Sequence, residues 1–249
     1  MKIPFQTEKR PAAGLRTPAP ACIPVIPGVS VTALYRAARV GGDFFDFAEA
    51  HGRLVFLLLD IAGKRAGALH IAAIVQDRFR QLVPELFHDH DLNEAVALSH
   101  LTIDLNRTVI EAADGVRCAP AFVGSFHEQV GTLQYINAGH PPAVVRDHAS
   151  TTLLEPSGLP LGLFSHATHD AQFSVLEPGG ALVVPSKGLV EARRNTHEFG
   201  IEGIRSYLQS APLTDARGLC SELLKQVEQS ARRGYQNDMT VLALVRAPA

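Results

Sequence analysis

Four aspartates stand where strands meet glycine-rich corners. Asp43 and Asp46 lie in VGGDFFDF, Asp60 ends LVFLLLD, and Asp238 opens the last apolar run in QNDMT. A carboxylate at the edge of a core strand is costly unless it is paired, hydrogen-bonded or bound to a cation. One such acid reads as a cap or turn residue. Four together point to a hard divalent ion, Mg²⁺ or Mn²⁺, and so to hydrolase or phosphoryl-transfer chemistry. The stretch GGALVVPSKGLVEAR (179–193) breaks this pattern. An apolar strand over 181–184 runs into a Ser186-Lys187-Gly188 corner, and a lysine stands where the other strand ends offer an aspartate.

Other chemistry-bearing residues read as structural. His88 and His90 in FHDHDLNE, and His166 and His169 in SHATHD, have transition-metal spacing but no cysteine partners, so both pairs read as solvated loops. His140 in NAGHPP lies between two strands and suits a turn or core hydrogen bond better than a catalytic base. AGKRAG (62–67) lacks the spacing of a phosphate loop. Ser125 in VGSF is not flanked as a nucleophile elbow requires.

The elements that must position these residues follow from periodicity. β-like runs cover 31–37, 43–48 and 54–59, the last a continuous apolar strand buried on both faces. Helical spacing covers 67–83 and 91–113, the second with Asp91 as N-cap and Glu94 closing a capping box. A helix-like segment also follows the lysine corner, at Val190-Glu191-Ala192-Arg193. Short strands come next in AFVGSFHE, GTLQYINA, PAVVRD, AQFSVL and ALVVP, then helices over 198–208 and 215–230, then a final strand over 239–246. Helices do not alternate with single strands, so a doubly wound parallel sheet is excluded in favour of two antiparallel sheets with helices outside.

Composition narrows the function class. The chain has 249 residues, 46% of them hydrophobic, which suits one large domain preceded by a proline-rich arm. Residues 1–22 read as that extended arm and 23–249 as the domain. A net charge of −2 gives no basic field for nucleic acid or an acidic membrane. No segment has the roughly 18 apolar residues of a membrane span. Three scattered cysteines, Cys22, Cys118 and Cys220, read as free thiols, and the N-terminus lacks the apolar core of a signal peptide. The expectation is a cytoplasmic protein.

Six blocks, in order over about residues 23–246, resemble the metal-dependent protein phosphatase superfamily, in its bacterial branch related to the stage II sporulation E phosphatase. They are IPGVSVTALYRAARVGGDFFDF, LLLDIAGKRAGALHIAA, GTLQYINAGHPPAVV, GLPLGLF, ALVVPSKGLVEARR with its following EFG, and NDMTVLALV. The resemblance implies a four-layer α-β-β-α sandwich, of α+β class, built on two mainly antiparallel sheets. It also implies a two-metal Mn²⁺ or Mg²⁺ centre whose activated water attacks a phosphoserine or phosphothreonine. It implies as partner a small regulatory phosphoprotein of the anti-anti-sigma kind, and it allows a homodimer.

Carried over residue by residue, the resemblance makes Asp60 the metal-bridging acid and turns the Ile61 carbonyl toward the second ion. Asp43 belongs near the cleft. Where the family has a ligand aspartate in TDG, this chain has Lys187. Where it has a ligand in DD, this chain has Asn237 followed by Asp238. Both changes make the pocket more positive, so divalent binding is expected to be weak or absent. Two placements of Lys187 follow. Its ammonium replaces a metal ion and pairs with Asp60, or it extends to solvent and Asp60 still holds an ion with Asp238 and waters. Two functions follow as well: a serine/threonine phosphatase, or a pseudophosphatase that only docks its partner.

Overall fold

The computed structural model describes residues 14–37, 42–113, 117–148, 150–194, 197–230 and 237–248. Two five-stranded sheets carry the fold. In one, β1 (Val29–Arg36), β12 (Met239–Arg246), β9 (Ala181–Pro185), β6 (Ala143–Arg146) and β7 (Thr151–Leu154) lie side by side in that order. In the other the order is β2 (Asp43–Ala50), β3 (Arg53–Asp60), β4 (Ala121–His127), β5 (Thr132–Ala138) and β8 (Gln172–Val175). Every neighbouring pair in both sheets is antiparallel.

Side-chain alternation turns these sheets into four layers. β3 sends Leu54, Phe56 and Leu58 into a core between the sheets, where Phe122, Leu182, Val184, Leu242 and Leu244 meet them. Its other face, Val55, Leu57 and Leu59, packs under α1 (Arg65–Leu86) and α2 (Glu94–Ala112). On the far side Val241, Ala243 and Val245 of β12 pack under α4 (Gly200–Ser210) and α5 (Ala216–Ser230). The expected α-β-β-α sandwich is the observed fold.

Three local expectations need correction. α1 runs on to Leu86 through Pro84, because a proline this close to the C-terminus forfeits one donor while Phe87 N still bonds the Val83 carbonyl at 2.9 Å. α2 is capped by Asn93, whose side chain accepts from Val96 N, and not by Asp91. The helix after the corner, α3 (Lys187–Val190), begins at the lysine, three residues earlier than expected. A two-residue hairpin, β10 (Arg193–Arg194) with β11 (His197–Glu198), follows it.

Glu94 closes no capping box because Arg53 takes its carboxylate. Arg53 is 2% exposed; its Nε donates to Glu94 Oε1 at 2.8 Å and its guanidinium also serves the carbonyls of Asp89 and His90. Ser125 donates to the other Glu94 oxygen at 3.1 Å, which makes it a structural residue. His140 has the turn role expected of it. Its backbone N–H donates to Asn137 Oδ1 at 2.9 Å, its Nδ1 bonds the Pro141 carbonyl at 3.2 Å, and burial pushes its pKa from 6.5 to about 4.

Proline-rich residues 14–25 form neither helix nor strand and lie across α1. The buried Gln76 amide donates to the Ala19 carbonyl at 2.9 Å and accepts from its N–H at 2.7 Å. Arg16 pairs with Asp77 at 2.6 Å, and Arg80 donates to the Pro20 carbonyl at 3.1 Å.

Two stability predictions follow from these buried groups. Arg53→Ala strands Glu94 and should cost about 3–5 kcal/mol in urea unfolding, with Arg53→Ala/Glu94→Ala costing less than the two single changes added. His140 is protonated near pH 6.5 in the unfolded chain and near 4 in the folded one. Its contribution is therefore full above about pH 6.5 and is lost as pH falls toward 4, by roughly 3 kcal/mol. Unfolding free energies measured across that window should fall more steeply for the parent chain than for His140→Asn; parallel curves would refute a buried neutral imidazole.

Candidate functional site

Parity along the strands decides which polar residues meet. Residues that alternate with Leu58 and Phe56 on β3, with Phe45 and Phe47 on β2, and with Leu242 on β12 face the layer between the sheets. At one end of that layer the same rows turn polar: Asp60 two residues past Leu58, Asp43 two before Phe45, and Thr240 and Asp238 two and four before Leu242. Ser186 follows Val184 by two, and Tyr35 follows Ala33 by two. Asp43 and Asp60 are direct cross-strand partners, as are Tyr35 and Thr240. Both sheets thus deliver carboxylates to one place.

Hydroxyl groups meet them. Thr240 Oγ1 donates to Asp43 Oδ2 at 2.6 Å, and the Ser186 hydroxyl also bonds Asp43. The Tyr35 hydroxyl donates to Asp238 Oδ2. Thr240 holds Ser186 in turn: Ser186 N donates to the Thr240 carbonyl at 2.8 Å, and the Ser186 Oγ accepts from Thr240 N at 2.9 Å. Arg65, the first residue of α1, reaches the Tyr35 hydroxyl at 3.4 Å.

Burial and mutual repulsion shift the acids upward. Burial raises Asp43 to about 7, the charges of Asp60 and Asp238 add to the shift, and the Thr240 and Ser186 hydroxyls oppose it. Asp60 is raised chiefly by burial, with Lys187 pulling the other way and Asp238 and Glu191 adding to the rise. Tyr35 is pushed up to about 12, first by burial and then by its bond to Asp238.

Asp46, the fourth acid, lies elsewhere. It sits on the opposite face of β2, fully buried, and takes two hydrogen bonds from Arg80 of α1 at 2.7 and 3.1 Å. Lys187 does not pair with Asp60. Its ammonium is 3.7 Å from Glu191, one turn on, and its side chain is 57% exposed, so among the described residues the ion pair it makes stays on α3. Its charge still acts on Asp60 from the rim. Asn237 is exposed beside Gly188, where a Cβ would overlap the Asp238 carbonyl oxygen; this glycine lets α3 press against the start of β12.

The histidine pairs behave differently from each other. His88 and His90 are exposed as expected. His169 is buried against Gly158, and burial lowers its pKa. Sequence reasoning also missed Tyr35, Ser186, Thr240 and Arg65. The signal that could have found the first three is the period-two row that continues each apolar strand face.

The residues as arranged do not make a donor set for a pair of divalent ions. Among the described residues no three of His, Cys, Asp and Glu are grouped as metal ligands would be. Asp238 and Asp43 already accept hydroxyl protons. The Ile61 carbonyl oxygen lies against Gly42, where glycine alone leaves it room. Among the described residues, no helix is long and apolar enough to cross a membrane.

Comparison with known proteins agrees with this architecture. The family described as Stage II sporulation protein E (SpoIIE) matches residues 50–247. Protein IcfG of Synechocystis sp. is 23% identical over an alignment of 201 residues that covers 72% of this chain and 32% of that protein, so the chain spans about a third of that relative's length. The solved RsbU and RsbW domains of Rv1364c from Mycobacterium tuberculosis superpose with a TM-score of 0.70 at 26% identity, covering 91% of this chain and 64% of that one. The PP2C phosphatase domain of SpoIIE from Bacillus subtilis, solved with a fragment of its regulatory domain, gives a TM-score of 0.70 at 15% identity, covering 88% and 62%. Matched over most of its length, the chain belongs to the stage II sporulation protein E (SpoIIE) family.

Proposed function

We propose that this chain is a SpoIIE-type protein serine/threonine phosphatase domain that works with a degraded metal site. Its substrate is a small regulatory phosphoprotein of the anti-anti-sigma kind, handled in a partner-switching exchange in the cytoplasm. Family membership supports the reaction class. The observation that carries the reading is the meeting of Asp43, Asp60 and Asp238 at one end of the inter-sheet layer, fed from both sheets. Three separate thiols suit a reducing compartment.

The residues divide the work by position. Asp60 and Asp43 form the acidic floor. Asp43, raised to about 7, is protonated in part near neutral pH and so has a proton to give to the leaving serine or threonine oxygen as a water molecule attacks phosphorus and takes up the phosphoryl group as inorganic phosphate. Lys187, at the rim, supplies positive charge to an approaching phosphate ester. Asp60, the Ile61 carbonyl, Asp238 and, weakly, Asn237 are the contacts left for Mn²⁺ or Mg²⁺. The lysine charge near Asp60 works against a second positive charge there.

Calorimetric titration of Mn²⁺ into the purified chain should show millimolar binding or none; micromolar binding would sink the claim of a weakened site. Lys187→Asp combined with Asn237→Asp should strengthen Mn²⁺ binding at least tenfold and raise Mn²⁺-dependent hydrolysis of para-nitrophenyl phosphate. Tighter binding with no hydrolysis from either protein would overturn the phosphatase reading and leave the metal argument intact.

A further inference from the structure

Beside the carboxylates lies a pocket of about 220 Å³. Pro18 and Ala19 of the arm and Ala68, Leu69 and Ala72 of α1 line it, together with Asp43 and Asp238 of the acid cluster and with Tyr35 and Arg65. Small side chains on both the arm and the helix leave this space open. The arm is a fixed wall, because the Gln76 amide pairs with both backbone groups of Ala19. A buried amide with both ends satisfied in this way holds one register of arm against helix.

Asp43 of the acidic floor and its neighbour Asp238 also line the pocket. A phosphorylated residue lying over the floor therefore sets its chain neighbour at the pocket mouth, since consecutive residues of an extended chain advance about 3.3–3.6 Å each. An apolar wall takes an apolar neighbour. The positive charge of Arg65 along the pocket is complementary to the phosphate that such a segment carries.

We propose that this pocket is a specificity site for one leucine-sized apolar side chain adjacent to the phosphoserine or phosphothreonine of the substrate protein, with the N-terminal arm as one wall. The proposal rests on the phosphatase-domain reading and names a feature of its substrate. Occupancy by the neighbouring side chain removes it from water and sets the register of the phosphopeptide, so selectivity enters through binding before any bond is broken.

The test is binding of four fluorescent decapeptides to the full chain in buffer holding millimolar Mn²⁺, read by anisotropy before any hydrolysis. Two carry a central phosphoserine flanked by leucine or by glycine, and two are their unphosphorylated counterparts. The leucine phosphopeptide should bind about tenfold more tightly than the glycine one. Leu69→Phe, which narrows the pocket, should erase that ratio. Leu69→Ala, which widens it, should shift preference to a phenylalanine-flanked phosphopeptide, a change that loss of stability alone does not produce. Equal binding of the two phosphopeptides overturns the pocket and spares the phosphatase reading. Leucine preference without phosphate preference supports the pocket and overturns that reading. No binding of any peptide overturns both.

Discussion

Three carboxylates brought together at the end of an apolar layer are the constraint on which this site depends. In such a place each charge raises the cost of the next, because burial weakens the screening that water gives. The protein answers with hydroxyl donors from three different strand ends: Thr240 and Ser186 on Asp43, and Tyr35 on Asp238. These donors belong to one sheet, while Asp43 and Asp60 belong to the other. The geometry of the acids is therefore inherited from how the two sheets pack, and anything that slides one sheet over the other disturbs the hydrogen bonds and the charges at once.

Much of this was legible in the sequence, and the failures share a cause. The last strand falls at 239–246 as expected, because an unbroken apolar run between polar ends leaves no other register. Asp60 is legible for the same reason. Asp43 and Asp46 look alike in VGGDFFDF, yet they are three residues apart and so point to opposite faces; one joins the cluster and the other meets Arg80. Tyr35, Ser186 and Thr240 escaped notice because a lone hydroxyl carries no signal until it is placed on the same row as an acid. Glu94 looked like a capping residue because local pattern cannot see Arg53, forty-one positions back, whose buried guanidinium claims the carboxylate.

Lys187 shows where charge counting stops. Its substitution changes the sum of charges at the site whatever its conformation, and that part of the reading needs only the sequence. Where the ammonium goes depends on α3. The helix starts at Lys187 and places Glu191 four residues on, so an ion pair along the helix competes with a reach into the cleft. A long aliphatic stem ending in a strongly hydrated ammonium favours the wet side of that choice. The result is an effect at a distance: Asp60 is held lower than burial and its neighbours would leave it, with no bond formed.

One stripe of α1 links the acids to the arm. Ala68, Ala72, Gln76 and Arg80 recur every four residues, and so lie along one face of the helix. The first two are small and line the pocket. The third pairs with the backbone of Ala19, and the fourth joins the Pro20 carbonyl to the buried Asp46 of β2. Read outward from the cleft, the stripe first makes room and then fastens the segment that closes it. Because α1 begins five residues after Asp60, the same helix fixes both the loop that carries the acid and the wall that faces it. A displacement of α1 along its axis would move the arm and the Asp60 loop together, so the width of the pocket and the geometry of the acidic floor are set by a single element.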